Sequence, residues 1–118
     1  MNQRIRRINE AVKEIIADGL ADAKDPRIGF VTVTDVRMST DLKSAEVFFT
    51  VLPDDEETRA RTLEGLQSAT PRLRRMLGRL RLRHTPDLHF THDPVPEQGR
   101  RIEELLRREQ ARDTTDRT

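Results

Sequence analysis

Two runs with the residue patterns of β-strands, the first rich in β-branched residues and the second alternating in apolar residues, are joined by a short polar turn and most constrain the fold of this chain. The first run spans residues 30–38, the second spans residues 42–52, and residues 39–41 lie between them as Ser-Thr-Asp. Such runs favour strands, and a short turn between adjacent strands predicts an antiparallel hairpin. In the second run the alternate apolar residues predict one buried face: Ala45, Val47, Phe49 and Val51.

The first run contains an irregularity in its apolar alternation. Val31 and Val33 fall on one face of an ideal strand, whereas Val36 and Met38 fall on the other. One additional residue in a strand produces this change of phase. We therefore predict a β-bulge near residues 34–35.

Helical periodicity surrounds this hairpin. Residues 3–20 keep the i, i+3, i+4 apolar spacing of an amphipathic helix, with Asn2 as its N-cap. After the second run, Pro53 ends the strand, and Asp54 with Glu57 three residues later resembles a capping box that starts another helix. The remaining elements are a short strand over residues 87–92 and a short helix over residues 100–108.

Residues 65–84 carry the densest positive charge of the chain. This stretch contains six arginines and no acidic residue. Proline disfavours the α conformation in the residue before it, so we predict a break at residues 69–71, with Thr70 as N-cap of a basic helix that ends before Thr85. Four arginines then fall on one narrow helical stripe: Arg72, Arg75, Arg79 and Arg83.

The arginine stripe suits a phosphate backbone, because guanidinium groups pair with phosphates in a forked geometry. Two other interpretations remain open: a solvated helix face, and codon bias in a chain with 22 Lys and Arg residues, of which three are lysines. Net charge is only +1, which favours one basic face over a uniformly cationic surface. Arg4 and Arg7, near the start of the first helix, are further candidates for RNA contact.

The sequence contains few residue patterns suited to catalysis or to metal binding. The absence of cysteine excludes thiolate chemistry, and the three histidines His84, His89 and His92 form no closed ligand set, so we expect no metal and no cofactor. Neither a nucleophile motif nor a phosphate-cradling glycine loop occurs, so we expect no enzyme activity. No apolar run has the length of a membrane span, and we expect a cytoplasmic protein without membrane contact.

The order of elements predicts an α+β fold in which helices cover a three-stranded sheet, as α-β-β-α-kink-α-β followed by a short C-terminal helix. One domain is expected over residues 1–109. Residues 110–118 lack apolar periodicity, and we expect them to be a disordered tail.

That order, together with several local motifs, resembles the ribosome-binding factor A family, from about residue 1 to residue 108. Each motif is short, and their specificity comes from their order and spacing. They are Asp25-Pro26-Arg27, Val31-Thr32-Val33-Thr34-Asp35-Val36, Asp41-Leu42 with Ala45 and Val47, Leu73-Arg74 with Leu77-Gly78, Leu82-Arg83, Pro86-Asp87-Leu88 with Phe90, and Gly99 with Ile102 and Leu105-Leu106.

The resemblance implies a K-homology-like domain of type II topology. It also implies binding to the small (30S) ribosomal subunit and its 16S rRNA during late maturation and rRNA processing, often linked to growth in the cold, without catalysis. The family has an Ala-x-Gly element at the helix junction, which Ala69 and Thr70 match, while Pro71 replaces the glycine. The expected RNA-binding residues are Arg4, Arg7, Ala69, Thr70, Pro71, Arg72, Arg74, Arg75, Arg79 and Arg83.

Three functions stay open at this point. The first is an assembly factor on the small subunit, acting as a monomer and touching ribosomal proteins as well as RNA. The second is a K-homology-like RNA binder with a non-ribosomal target. The third is a protein–protein adaptor whose basic helix face meets an acidic partner. Steep salt dependence and sensitivity to nuclease distinguish the two RNA-binding functions from the adaptor.

We expect removal of residues 110–118 to leave the fold intact, because this segment offers no apolar periodicity for packing. Thermal unfolding of a chain truncated after Glu109 should give a melting temperature within a few degrees of the full chain. A much larger decrease would show that the tail packs on the domain.

Overall fold

The computed structural model describes residues 3–93, and within that range two helices pack on a three-stranded sheet. The elements are α1 (Gln3–Ala21), β1 (Phe30–Met38), β2 (Ser44–Leu52), α2 (Glu56–Met76), a 3-10 helix (Leu77–Leu80) and β3 (Asp87–His92). This arrangement confirms the α+β class with three strands. The helix expected over residues 100–108, the tail 110–118 and Asn2 lie outside the described residues.

The hairpin has the predicted bulge. β1 pairs antiparallel with β2, and the register shifts between Val33 and Asp35. Side chains of a regular strand alternate between faces, so Val33 and Val36, three positions apart, would point in opposite directions. The bulge changes the phase between them, and both valines are buried in the core.

The third strand joins the sheet in the opposite sense. β3 pairs with β2 in parallel, which makes β2 the central strand. Parallel neighbours require a crossover connection, and α2 with the following 3-10 helix provides it. α1 packs on β1 and α2 packs on β2 and β3, so the core lies between the helices and the buried rows of the strands.

One buried polar residue fastens α1 to the sheet. Asn9 is 7% exposed, and its side-chain oxygen accepts a hydrogen bond of 2.9 Å from the backbone N–H of Met38. A buried amide is stable only when it is hydrogen-bonded, so this contact fixes the position of α1 along β1. The apolar periodicity of residues 3–20 contained no signal for it.

The N-cap of α2 is Asp55, and the prediction of Asp54 was wrong by one residue. The Asp55 carboxylate accepts a 2.7 Å hydrogen bond from the N–H of Thr58, and hydrogen bonding to Thr58 lowers the pKa of Asp55. Asp54 instead contacts Nε of Arg59 at 3.0 Å and Nε2 of His92 at 3.1 Å. Two adjacent aspartates can both cap a helix, and the sequence did not distinguish them.

The predicted helix break at residues 69–71 is wrong, because α2 continues through Pro71. Thr70 is not an N-cap. Its hydroxyl donates a 2.9 Å hydrogen bond to the carbonyl oxygen of Leu66, one turn earlier in the same helix. Proline removes the N–H that would bond the carbonyl of Gln67. Since both Pro71 and Gln67 are exposed, the missing hydrogen bond faces solvent and not the core.

The basic helix is also shorter than predicted. Regular α-helix ends at Met76, and buried Leu77 opens the 3-10 helix. Arg81 then takes a left-handed conformation with φ 52°, which turns the chain away from the helix axis. The arginines from position 72 to position 83 therefore do not share one helical stripe.

Substitution of Gly65 by alanine should destabilise the fold. A Cβ atom there would lie 2.7 Å from Cγ1 of Ile28 and 3.2 Å from Cβ of Arg27, closer than ordinary contact. Overpacking of this kind costs about 1–3 kcal/mol, which exceeds the roughly 1 kcal/mol that alanine contributes to helix propensity.

Gly78→Ala is the matched control. A Cβ atom at Gly78 meets nothing within 4 Å, and its φ is not positive, so a gain of about 0.4–1 kcal/mol is expected. Urea unfolding of the two variants measures the difference. A Gly65→Ala protein as stable as Gly78→Ala would contradict the close packing of α2 on the loop before β1.

Candidate nucleic-acid interface

A groove lies where the start of α1 meets the hairpin turn and the segment after the 3-10 helix. We call it the basic groove, and its volume is about 870 Å³. Its walls come from three separate parts of the chain, near residues 3–8, 41–42 and 80–84. The lining residues are Gln3, Arg4, Arg7, Ile8, Asp41, Leu42, Leu80, Arg81, Leu82, Arg83 and His84.

Three of the sequence-predicted RNA-binding residues converge in the basic groove. Arg4 and Arg7 lie on the first turns of α1, and Arg83 lies on the segment leading to β3. All three are exposed. Arg81 joins them, although the helical stripe did not include it. The stripe assumed a helix up to residue 83, but Arg81 has a left-handed backbone conformation. Helical spacing therefore could not predict that Arg81 lies in the groove.

Arg72 and Arg74 use their guanidinium groups inside the fold. Arg72 Nη2 donates a 2.9 Å hydrogen bond to the carbonyl oxygen of Gly19 in α1. Arg74 donates through Nε to Pro86 O at 3.2 Å and through Nη2 to Thr85 O at 3.1 Å. These bonds hold α2 to the end of α1 and to the start of β3, which is a structural task that the charge pattern did not reveal.

Arg75 and Arg79 remain on the surface. Arg75 lies in the last turn of α2, Arg79 lies in the 3-10 helix, and both are exposed. Within residues 3–93 neither side chain belongs to an ion pair. They are free to meet phosphates, and their contact with RNA stays a prediction.

The Ala69–Pro71 element lies in the interior of α2. Ala69 and Arg72 border a second, smaller concavity of about 400 Å³, together with the loop after α1. Backbone N–H groups inside a helix are already bonded to carbonyls one turn earlier, and Pro71 has none. In this conformation a ligand at the element meets side chains and not backbone donors.

An ion pair fastens the loop after α1 beside that concavity. Arg27 Nη2 lies 2.6 Å from Asp25 Oδ2 and donates a 3.0 Å hydrogen bond to Ser68 Oγ on α2. The hydrogen bonds from the side chain and backbone of Arg27 lower the pKa of Asp25 from its ordinary value of 3.8 to about 2. The Asp25 carboxylate is therefore ionised throughout the neutral and mildly acidic range.

The histidines separate in the fold. His84 lines the basic groove, whereas His92 lies edge-on to Phe49 with ring centroids 5.9 Å apart. No cluster of three or more His, Asp or Glu side chains suited to a metal ion occurs within residues 3–93. Neither helix in that part of the chain is both long and apolar enough to cross a membrane.

Comparison with known proteins identifies one family. The family model described as ribosome-binding factor A matches residues 4–106. A ribosome-binding factor A of Halothermothrix orenii is 44% identical over 117 residues, covering 98% of this chain and 95% of the relative.

Solved structures agree with this match. The crystal structure of ribosome-binding factor A from Thermus thermophilus superposes with a TM-score of 0.65 at 29% identity, covering 75% of this chain and 94% of that one. A Thermus thermophilus homology model fitted into a cryo-electron microscopy map of a 30S complex gives a TM-score of 0.57 at 31% identity, with coverage of 70% and 88%. These neighbours are consistent with the K-homology-like fold.

We predict that Arg27→Gln raises the pKa of Asp25 from about 2 towards 3.8. Because the folded-state pKa is depressed, the contribution of this carboxylate to stability is complete above about pH 4 and disappears as the pH falls through 2. Carboxyl carbon chemical shifts measured by NMR during acid titration report the midpoint directly.

Ser68→Ala is the control for this titration. It removes the second partner of Arg27 but leaves the pair with Asp25, so the midpoint should stay near pH 2. An unchanged midpoint in Arg27→Gln would show that the carboxylate is stabilised by other groups.

Proposed function

Because the chain belongs to the ribosome-binding factor A family, we propose that it binds the small (30S) ribosomal subunit and contacts 16S rRNA during late maturation. The observation that carries this proposal is the family match over residues 4–106, which spans nearly all of α1 and every following element of the described fold. The Thermus thermophilus neighbour that was fitted into a 30S complex supports the same partner.

The distribution of charge supports RNA as the surface contacted. Exposed arginines surround the basic groove, and Arg75 and Arg79 extend the positive surface along the end of α2. Residues 28–64 instead carry an excess of negative charge, with four basic and eight acidic side chains. Because the acidic excess lies in a different part of the chain from the arginines of residues 65–84, the positive charge is concentrated and not uniform, which favours approach of a polyanion at the arginines.

In this proposal the Ala69–Pro71 element contacts RNA through side chains and not through backbone N–H groups. Since it lies inside α2, it contributes the shape of the helix surface and the apolar groups of Ala69 and Thr70, without backbone donors, while the Thr70 hydroxyl donates to the Leu66 carbonyl. Arg72 and Arg74 position α2 against α1 and β3, and Arg74 is in addition paired with Asp87 at 3.5 Å, so their contribution to phosphate binding is expected to be smaller than that of Arg75 and Arg79.

We propose a cytoplasmic protein that acts as a monomer, with a K-homology-like domain over residues 1–109, and that touches ribosomal proteins where they border the rRNA. Its requirement should be greatest in the cold, when RNA misfolding is slow to reverse. No step of this function needs a cofactor or a catalytic residue.

We predict that the full chain co-sediments with isolated 30S subunits and much more weakly with 50S subunits. Binding should decrease steeply as salt is increased, because each phosphate that the protein neutralises contributes roughly 0.7–0.9 to the slope of log K against log salt. Limited nuclease treatment that degrades exposed rRNA should release the protein.

An Arg75→Ala, Arg79→Ala double variant tests the surface at the end of α2 and on the 3-10 helix in the same assay, with Arg37→Ala, Arg61→Ala as a control of equal charge. The first should flatten the salt slope more than the second. Binding that withstands both high salt and nuclease would contradict RNA recognition and favour a protein–protein adaptor.

A further inference from the structure

The basic groove has an excess of positive charge that the described fold does not neutralise. Arg4, Arg7, Arg81 and Arg83 all line it, and none of them takes part in an ion pair within residues 3–93. The one carboxylate in the lining, Asp41, accepts hydrogen bonds from Ser39 Oγ at 2.6 Å and from the N–H of Lys43 at 3.0 Å. These contacts lower the pKa of Asp41 and occupy its carboxylate within the hairpin turn.

The four arginines approach the groove from two sides. Arg4 and Arg7 are three positions apart in α1, so they lie on the same helix face, one turn from each other. Arg81 and Arg83 belong to the segment after the 3-10 helix. Cations on two facing walls repel each other across the opening, and an anion between them relieves that repulsion.

Unusual backbone conformations occur at this groove. Among residues 3–93 the only non-glycine residues with positive φ are Leu42, at 61°, and Arg81, at 52°. Both line the basic groove, although they are far apart in sequence. Left-handed backbone is disfavoured for residues with a Cβ atom, and such conformations concentrate at ligand-binding sites. Here the two conformations place an apolar and a cationic side chain in the wall of one cavity.

The rest of the lining suits a nucleoside better than an isolated phosphate. Apolar side chains contribute the part between the arginines: Ile8, Leu42, Leu80 and Leu82. His84 adds an imidazole ring, a group on which unpaired bases stack. The volume of about 870 Å³ falls within the range of about 300–1,000 Å³ that is typical of ligand sites.

We propose that the basic groove binds an unpaired segment of RNA, with its phosphates on Arg4, Arg7, Arg81 and Arg83 and one base against the apolar lining beside His84. This inference rests on the proposed function, and it names the RNA class and the residues. The lining includes neither the Ala69–Pro71 element nor Arg75 or Arg79, so the groove offers RNA a contact in addition to them. Duplex RNA does not fit the same description, because its bases are stacked inside the helix.

Two groove variants test this assignment. Arg4→Ala, Arg7→Ala removes one wall, and Arg81→Gly removes a cation from the other. Glycine adopts positive φ without strain, so Arg81→Gly should fold at least as well as the original chain. Fluorescence anisotropy with a short labelled single-stranded RNA should show affinity lowered by about tenfold or more for each variant, with a flatter salt slope.

For the Arg4→Ala, Arg7→Ala variant the matched control is Arg6→Ala, Arg61→Ala, which likewise removes two positive charges from exposed positions outside the groove, one more than Arg81→Gly removes. Its affinity should stay within about threefold of the original chain, because only long-range electrostatics change. An unlabelled RNA duplex should compete poorly with the single strand. Groove variants that bind as tightly as this control would overturn the assignment, and equal competition by the duplex would overturn the choice of unpaired RNA.

The same variants in the 30S assay separate this inference from the proposed function. If the original chain and the groove variants sediment equally with 30S subunits, the groove assignment fails and the proposed function stands. If the original chain does not bind 30S subunits but binds single-stranded RNA through the groove, the proposed function fails and the groove assignment stands.

Discussion

The close approach of α1 to α2 at Gly19 determines how the rest of the molecule is arranged. A Cβ atom at Gly19 would lie 2.6 Å from Cδ2 of Leu73, so only glycine permits this distance without rearrangement of α2 side chains. Arg72 reinforces the contact by donating to the Gly19 carbonyl. That carbonyl belongs to the last turn of α1, where oxygens lack intrahelical donors and the helix dipole attracts a cation. α1 has no basic residue of its own there, and α2 provides one.

This contact also explains why the basic groove forms at the other end of α1. With Gly19 held against Leu73, the first turns of α1 lie beside the 3-10 helix and the segment that follows it. Arg4 and Arg7 are thereby brought opposite Arg81 and Arg83. Their convergence depends on the packing of two helices and not on any local property of either segment.

The sequence predicted those helices and strands whose apolar residues repeat with the spacing of a buried face. The hairpin, its bulge and the helix over residues 3–20 were all readable, because each buried side chain imposes a phase on its neighbours. The parallel pairing of β3 was not, since a strand of alternating residues can join a sheet in either direction. The sequence also did not predict which of Asp54 and Asp55 is the N-cap. Either carboxylate can cap a helix, and the choice depends on the residue at which the helix begins.

The candidate site was harder to predict, for a physical reason. Charge periodicity carries no information about where a helix ends. The α-helix ends at Met76, and the left-handed backbone at Arg81 then turns the chain. Pro71 illustrates the opposite error: proline is unfavourable inside a helix, yet the missing hydrogen bond is tolerable where solvent reaches the carbonyl. From the sequence, Arg72 and Arg74 could bind either phosphates or backbone carbonyl oxygens. The tertiary contacts show that both donate to backbone oxygens.

The bulge in β1 has a consequence for how this hairpin can vary among related chains. Between Val33 and Val36 the number of residues, and not their chemical nature, decides which side chains enter the core. A change of side chain at Thr34 leaves that count intact, whereas loss or gain of one residue would turn every position on one side of it to the opposite face. Evolution along this strand is therefore constrained in length at the bulge as well as in the apolar character of the buried Val33 and Val36.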